Sequence, residues 1–262
     1  MPGERTRAVI LTTQRTGSTF LVECLDSHPA IHCAGELLNG QPDTQIAPPR
    51  GPFRYLVKGA RIARTGAWLP QYRLEQYYQG GFSPVRCFKA MYNQLARPFA
   101  LRYLLDHPEI RVIHLRRENL LSTHVSLLLM QKRRELQATQ PVAPLQIRVD
   151  PDRAVAAMRK AETCYLRFDH LFQGHRMLSL TYESLFEGSR LRTETARRIC
   201  DFLGVAREPM ASRIIKLNPR SLRDIVTNYE ELAETLSNTE FASLLADSAL
   251  DRARVAGIYS RN

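Results

Sequence analysis

Residues 8–25 read AVILTTQRTGSTFLVECL, and they contain three segments of different character. Residues 8–13 are a short apolar run rich in β-branched side chains, and residues 14–18 are a polar turn that contains a glycine. From Phe20 to Leu25, apolar residues recur at helical spacing. This order predicts a buried strand, a tight loop and a helix, one after the other.

The chain beyond this start alternates between short apolar runs and longer segments of helical periodicity. Strands are predicted at Cys87–Met91, Arg111–Leu115 and Met177–Tyr182, and helices at 98–106, 120–133, 152–172 and 190–203. Strands that alternate with helices are typical of an α/β fold, in which a central, mostly parallel sheet is flanked by helices as three layers.

Residues 41–84 interrupt this alternation. The segment begins with several prolines, becomes aromatic and basic, and ends in a glycine- and proline-rich turn. It has two interpretations, a packing excursion or a lid over an acceptor. With 262 residues and 44% hydrophobic side chains, we expect one domain over residues 1–262, with an inserted acceptor-side lid at about 41–86.

The charge balance favours an anionic ligand. The chain has 37 Lys and Arg against 26 Asp and Glu, a net charge of +11, and a field of that sign attracts nucleic acid, an anionic membrane surface or a multiply charged nucleotide. Because no nucleic-acid-binding signature is present, we expect no nucleic-acid partner. Peripheral contact with an anionic membrane surface stays open.

The cysteines and the N-terminus indicate the compartment. Five cysteines, an odd number without a C-x-x-C pair, argue against a disulfide framework or a zinc site, and favour small buried side chains. No signal-peptide core and no apolar stretch of membrane-spanning length occurs. We therefore predict a cytoplasmic protein that binds no metal; the sequence does not predict an oligomeric state.

The loop at residues 14–19 has the chemistry of an anion site. Gly17 allows a tight turn and the close approach of a ligand, and the helix N-terminus presents backbone N–H groups. Arg15, Ser18 and Thr19 add side-chain donors. The Walker A pattern fails because no lysine precedes Ser18, which weakens an ATPase or kinase interpretation. A helix start capped by Thr16 or Ser18, without a ligand, is the alternative.

At this point the chain resembles a family. Residues 14–20 resemble the 5′-phosphosulfate loop of sulfotransferases that use 3′-phosphoadenosine-5′-phosphosulfate (PAPS), which have a P-loop-like α/β fold. The resemblance continues through His28-Pro29 to Gly35-Glu36, as in bacterial carbohydrate and glycolipid sulfotransferases. It recurs in four further segments, at 88–94, 113–126, 182–185 and 202–205.

The resemblance implies PAPS as the donor, 3′-phosphoadenosine 5′-phosphate (PAP) as the product, and no metal. It implies that Arg117 and Ser126 hold the 3′-phosphate, although the choice between Arg116 and Arg117 is open. Two further contacts are expected, one from Tyr182 near the adenine and one from Arg220 in a late basic segment. The loop residues expected to contact the donor are Arg15, Thr16, Gly17, Ser18, Thr19 and Phe20.

Sulfuryl transfer also needs a proton acceptor and stabilisation of the leaving phosphate. By analogy with the family's glutamate, Glu36 is expected to be the general base, with His28 and His32 as alternatives. Arg15 and Lys89 suit the leaving 5′-phosphate. The acceptor is expected to be a hydroxyl of a carbohydrate, a glycolipid or another small molecule. A P-loop small-molecule kinase and a noncatalytic module that binds anions or nucleic acid are the alternative functions.

Overall fold

The structure is a computed structural model that describes residues 5–39, 68–96, 98–136, 145–213 and 221–245. These residues form two units. The first contains the described parts of 1–13, 17–116 and 170–213, and the second those of 14–16, 117–169 and 214–262. Each unit is built around its own buried residues.

Five strands of the first unit form one sheet. They are β1 (Thr6–Thr12), β2 (Ile31–Ala34), β3 (Val85–Met91), β4 (Arg111–Arg116) and β5 (Met177–Thr181). The order across the sheet is β2-β3-β1-β4-β5, and every neighbouring pair is parallel. A parallel sheet is covered on both faces, which explains why residues 8–11 of β1 are fully buried.

The described helices are α1 (Ser18–Asp26), α2 (Trp68–Gln79), α3 (Tyr92–Leu95), α4 (Pro98–Leu105), α5 (Leu120–Leu136), α6 (Pro151–Leu171), α7 (Thr193–Leu203), α8 (Leu222–Ile225) and α9 (Tyr229–Ser237). In the first unit, α1 and α7 contribute Leu21 and Ile199 to the same core cluster as Ile10 of β1. From α2, Tyr77 and Tyr78 pack their rings against Phe88 of β3. Successive strand residues point to opposite faces, so helices flank the sheet on both sides and the predicted α/β fold is confirmed.

In the second unit, an extended segment at 145–150 is tied to α8 and α9. The Ile147 N–H donates to the Ile225 carbonyl at 2.9 Å, and the Thr227 N–H donates to the Ile147 carbonyl at 2.9 Å. The side chain of Asn228 donates to the Val149 carbonyl at 2.8 Å. Leu232 and Leu236 of α9 are fully buried.

Several element predictions need correction. The predicted helix at 190–203 begins only at Thr193, because Arg190–Leu191 forms strand β7 and pairs with β6 (Phe186–Glu187) in an antiparallel hairpin. Tyr182 begins a 3₁₀ turn instead of ending a strand. Strand β2 was not predicted, since its four residues include a histidine and have no clear periodicity.

The predicted lid at about 41–86 is only partly described. Residues 40–67 lie outside the described residues, and the remainder contains α2 and the first two residues of β3. That this segment covers an acceptor stays a prediction.

Two further sequence predictions concern cysteines and membranes. All five cysteines are free thiols; Cys24, Cys33, Cys87 and Cys200 are buried, as predicted, whereas Cys164 is only half-buried. Burial raises the pKa of the Cys24 thiol to about 12, with a smaller contribution from the neighbouring Glu23. Among the helices of the described ranges, none combines the length and apolar character needed to cross a membrane.

Candidate functional site

The loop between β1 and α1 leaves the first turn of the helix without a side-chain cap. Gly17 is the N-cap residue, with φ 75°, so neither Thr16 nor Ser18 has that role. The first helical hydrogen bond runs from the Leu21 N–H to the Gly17 carbonyl at 3.1 Å. The backbone N–H groups that precede Leu21 in the first turn point out of the N-terminal end of the helix. The helix dipole is positive at this end, which favours the binding of an anion.

Aromatic rings surround Gly17 and explain why glycine occupies this position. A Cβ atom added to it would lie 2.9 Å from Cδ2 of Tyr182 and 3.2 Å from Cζ of Phe186. The ring centroids of Phe20 and Phe186 are 4.4 Å apart, and those of Tyr182 and Phe186 are 4.8 Å apart. Phe20 is 2% exposed, so its ring belongs to the core cluster.

Lys89 joins the start of α1 to Glu36. It lies in β3, in register with Ile10 of β1, and its ammonium Nζ is 3.1 Å from Oε1 of Glu36. The same Nζ donates to Oγ1 of Thr19 at 3.4 Å. The Lys89 side chain is 6% exposed and that of Glu36 21%. A charge this buried is tolerated because it is paired, and the side chain of its partner is only partly buried.

Glu36 is held on both oxygens. It follows β2, which pairs with β3, and Oε1 faces Lys89. Oε2 accepts from Nε2 of Gln94 at 2.8 Å and from Nδ2 of Asn39. An ionised carboxylate has about four lone-pair positions, so three donors leave room for an acceptor hydroxyl. The arrangement can therefore accept a proton at a fixed position.

In the second unit, the side chain of Arg15 meets the pair of residues predicted to hold a 3′-phosphate. The Nε of Arg15 donates to Oγ of Ser126 at 2.8 Å, and the backbone carbonyl of Arg15 accepts from Nη1 of Arg117 at 3.3 Å. The Arg117 N–H donates to the hydroxyl of Tyr165 in α6 at 3.3 Å. Two guanidinium groups and a hydroxyl converge here, a donor set that suits a phosphate group.

Local backbone structure supports this convergence. Arg15 has φ 63°, a left-handed conformation that is uncommon outside glycine and often found at ligand-binding sites. Asn119 is the residue before α5, and its Oδ1 accepts from the Ser122 N–H at 2.7 Å. This bond satisfies one free N–H of the first turn and fixes the start of the helix on which Ser126 lies.

The histidines that rivalled Glu36 have structural partners. Nδ1 of His28 accepts from the Ala30 N–H at 3.1 Å, and Nε2 contacts the Ala206 carbonyl at 2.9 Å. A backbone N–H can only donate, so Nδ1 is the unprotonated nitrogen and Nε2 donates to Ala206. His32 contacts Asp26 at 3.1 Å, and this hydrogen bond is the main reason that the pKa of Asp26 is lowered. The general base therefore stays a prediction, with Glu36 as the candidate.

Two of the predicted residues, Arg116 and Arg220, are not part of the contacts described above. Arg220 lies outside the described residues. Arg116 is the last residue of β4, in register with Thr181 of β5, whereas Arg117 contacts Arg15. The sequence interpretation had no role for Gln94. Gln94 is the last residue of segment 88–94, which carries part of the family resemblance. Its place in that segment is the feature of the sequence that could have indicated a role for it.

The comparisons with known proteins agree on one family. A family model described as "Sulfotransferase family" matches residues 8–209. Over 242 residues the chain is 24% identical to Nodulation protein H of Rhizobium meliloti, covering 89% of this chain and 92% of that protein. The range matched by the family model includes the loop, Glu36, Lys89, Gln94, Arg117, Ser126 and Tyr182.

Two solved structures are similar at low identity. One is a sulfotransferase from Alicyclobacillus acidocaldarius, with 16% identity, a TM-score of 0.46, and coverage of 99% of this chain and 97% of that chain. The other is the sulfotransferase domain from the curacin biosynthetic pathway, with 16% identity, a TM-score of 0.43, and coverage of 92% and 83%.

Proposed function

This chain belongs to the sulfotransferase family, and we propose that it transfers a sulfuryl group from PAPS to a hydroxyl of a carbohydrate, glycolipid or other small-molecule acceptor. The observation that carries the proposal is the convergence of Arg15, Arg117 and Ser126. It joins a residue of the phosphate loop to the two residues expected to recognise a 3′-phosphate, the group that distinguishes PAPS from ATP.

The residues of the chain divide the work of donor binding. The N–H groups of the first turn of α1 and the ammonium of Lys89 bind the 5′-phosphosulfate, and Arg15 contacts its bridging region. Arg117 and Ser126 hold the 3′-phosphate. Tyr182 lies near the adenine, and Arg220 adds a late basic contact. When bound, PAPS supplies the sulfuryl group and leaves as PAP.

The remaining residues promote the transfer itself. Glu36 accepts the proton of the acceptor hydroxyl, a contribution of about 10²- to 10⁴-fold for a positioned base. Arg15, Lys89 and the α1 N–H groups stabilise the charge that grows on the leaving 5′-phosphate oxygen. Holding the hydroxyl and the sulfuryl group in line converts the reaction into an effectively unimolecular step. The chain needs no metal for these tasks.

The acceptor class rests on resemblance. Residues 28–36 resemble bacterial carbohydrate and glycolipid sulfotransferases, and Glu36 lies within that segment. The aromatic and basic composition of 41–86 suits a sugar or a lipid head group. A cytoplasmic location and peripheral contact with an anionic membrane surface belong to the same proposal.

Calorimetric binding of PAP, adenosine 5′-monophosphate and ATP tests the donor assignment. We expect PAP to bind at least about tenfold more tightly than the monophosphate, because a buried charge-assisted contact is worth about 1.5–3 kcal/mol. Arg117→Ala should remove this preference. Arg153→Ala is the matched control, since its exposed side chain, paired with Asp150, carries the same charge. Tight ATP binding without a preference for the 3′-phosphate would contradict the proposal.

A further inference from the structure

Gln94 is a buried amide whose orientation is set by its partners. It lies in α3, directly after β3, and is 6% exposed. Its Oε1 accepts from the Met91 N–H at 3.0 Å, and its Nε2 donates to Oε2 of Glu36 at 2.8 Å. Because a backbone N–H can only donate, the carbonyl end of the amide must face Met91. The NH₂ end must then face Glu36.

The three donors on Glu36 differ in how easily water could replace them. Asn39 is exposed, so a water molecule can take its place on Oε2. Lys89 occupies the other oxygen, Oε1. Gln94 is therefore the buried donor that fixes the Oε2 side of the carboxylate, and with Lys89 it determines the plane in which the carboxylate lies.

We propose that Gln94 is a positioning residue for catalysis: its side-chain amide, anchored on the Met91 N–H, holds the Glu36 carboxylate in the orientation that accepts the proton of the sulfuryl acceptor. This inference rests on the proposed function of Glu36 as the base. The physical reason is that displacing a base by about 1 Å can slow the reaction about 10²-fold. A carboxylate that is held at only one of its oxygens can still rotate out of its plane.

Gln94→Glu tests the inference without removing the structural contact. One oxygen of the new carboxylate can still accept from the Met91 N–H, while the other faces Glu36. Two carboxyl groups at hydrogen-bond distance do not both ionise readily, so the pair keeps a proton up to a higher pH than a single carboxyl group does. We expect the acidic limb of the kcat–pH profile to move to higher pH by about one unit or more, so that kcat measured on that limb falls at least about tenfold. At still higher pH kcat should recover, and the affinity for PAP should not change.

Two further variants complete the experiment. Gln173→Glu adds the same charge at an exposed position in the turn before β5 and should retain the wild-type profile. Gln94→Met, which adds no charge, covers the case in which Gln94→Glu does not fold. Without the buried donor on Oε2, its kcat should fall about tenfold at an unchanged PAP affinity. A wild-type profile in Gln94→Glu, or a wild-type kcat in Gln94→Met, would overturn the inference and limit Gln94 to holding Met91.

A second readout does not depend on turnover. In nucleotide-free protein labelled with ¹³C at glutamate carboxyl groups, the Glu36 resonance is identified by its loss in Glu36→Gln. In Gln94→Glu its titration midpoint should move to higher pH, and an unmoved midpoint would contradict the inference. If the wild type transfers no sulfuryl group, the proposed function fails, and this titration still tests the contact between residue 94 and Glu36 on which the inference depends.

Discussion

Gly17 meets two demands at one backbone position. Its φ of 75° lies in the left-handed region, and Tyr182 and Phe186 occupy the space that a Cβ would need. Gly188 has a similar φ of 63° but no atom within 4 Å of a Cβ. The two glycines therefore separate the cost of the backbone conformation from the cost of the steric contact.

We predict that Gly188→Ala lowers the free energy of unfolding by about 1 kcal/mol, because an L-residue in the left-handed region costs roughly 1–2 kcal/mol. Gly17→Ala should cost more, because the Tyr182 or Phe186 ring must also shift. Urea denaturation of both variants measures the difference. Equal losses would mean that the aromatic rings move away freely.

A second prediction at the residue scale concerns Glu36. Glu36→Gln keeps a group that can accept from Lys89 but removes the basic oxygen, so we expect turnover to fall by about 10²-fold or more. PAP affinity should stay at the wild-type value, as measured by calorimetry. Glu208→Gln, at an exposed position, is the control for loss of a carboxylate. Nearly full turnover in Glu36→Gln would reject it as the base and return attention to His32.

At the scale of elements, two tyrosines attach α2 to the sheet. The Tyr78 hydroxyl donates to the Ala8 carbonyl of β1 at 2.8 Å, and the Tyr77 hydroxyl donates to the Cys87 carbonyl of β3. Burial is the main cause that raises the pKa of both phenols. Their neutral form is therefore the one that the folded protein stabilises.

The sign of the resulting pH dependence follows directly. Below about pH 10, the ordinary tyrosine value, both folded and unfolded chains hold the phenol protons, and the contribution to stability is complete. Above it the unfolded chain releases protons that the folded chain keeps, so stability falls as the pH rises. We predict that urea unfolding measured from pH 7 to pH 11 shows this loss.

Tyr78→Phe identifies the tyrosine contribution. The variant should lose about 1 kcal/mol at pH 7, the usual value of one hydrogen bond. Its stability should then decline less steeply than that of the wild type above about pH 10, because one proton fewer is linked to unfolding. Parallel declines in the two proteins would contradict the assignment of the effect to Tyr78.

At the scale of the whole molecule, the net charge of +11 should aid the capture of a polyanionic donor. Salt screens such attraction over about 10 Å at 0.1 M. We predict that PAP affinity falls as NaCl is raised from about 20 mM to about 300 mM, and falls less in Arg117→Ala, which has one cation fewer at the 3′-phosphate. Calorimetry across the series measures both slopes.

The same titration distinguishes a general anion binder from a nucleotide site. If net charge alone causes the attraction, the protein should bind duplex DNA only at low salt. Duplex binding that persists at physiological salt, together with PAP affinity no greater than that for inorganic phosphate, would favour a noncatalytic anion- or nucleic-acid-binding module.

The sequence by itself determined the features that depend on neighbouring residues. The apolar run 8–13, the polar turn and the helical spacing that follows predict β1, the loop and α1, because strand and helix periodicities are local properties. The alternation of such segments predicts the parallel α/β sheet. Short elements were the exceptions: β2 owes its formation to pairing with β3, which is distant in sequence, and the two-residue strands of the β6–β7 hairpin are too short to show a periodicity.

Only the tertiary structure decided which side chains meet. Glu36, Lys89 and Gln94 come together because β2 and β3 are neighbours in the sheet, and no periodicity encodes strand order. Arg15 reaches Ser126 across 111 positions of the chain. The Phe20 ring is buried because the helix that carries it turns that face to the core, and the predicted contact of Phe20 with the donor stays a prediction. Sequence periodicity tells which face of an element is apolar; long-range packing tells what lies opposite it.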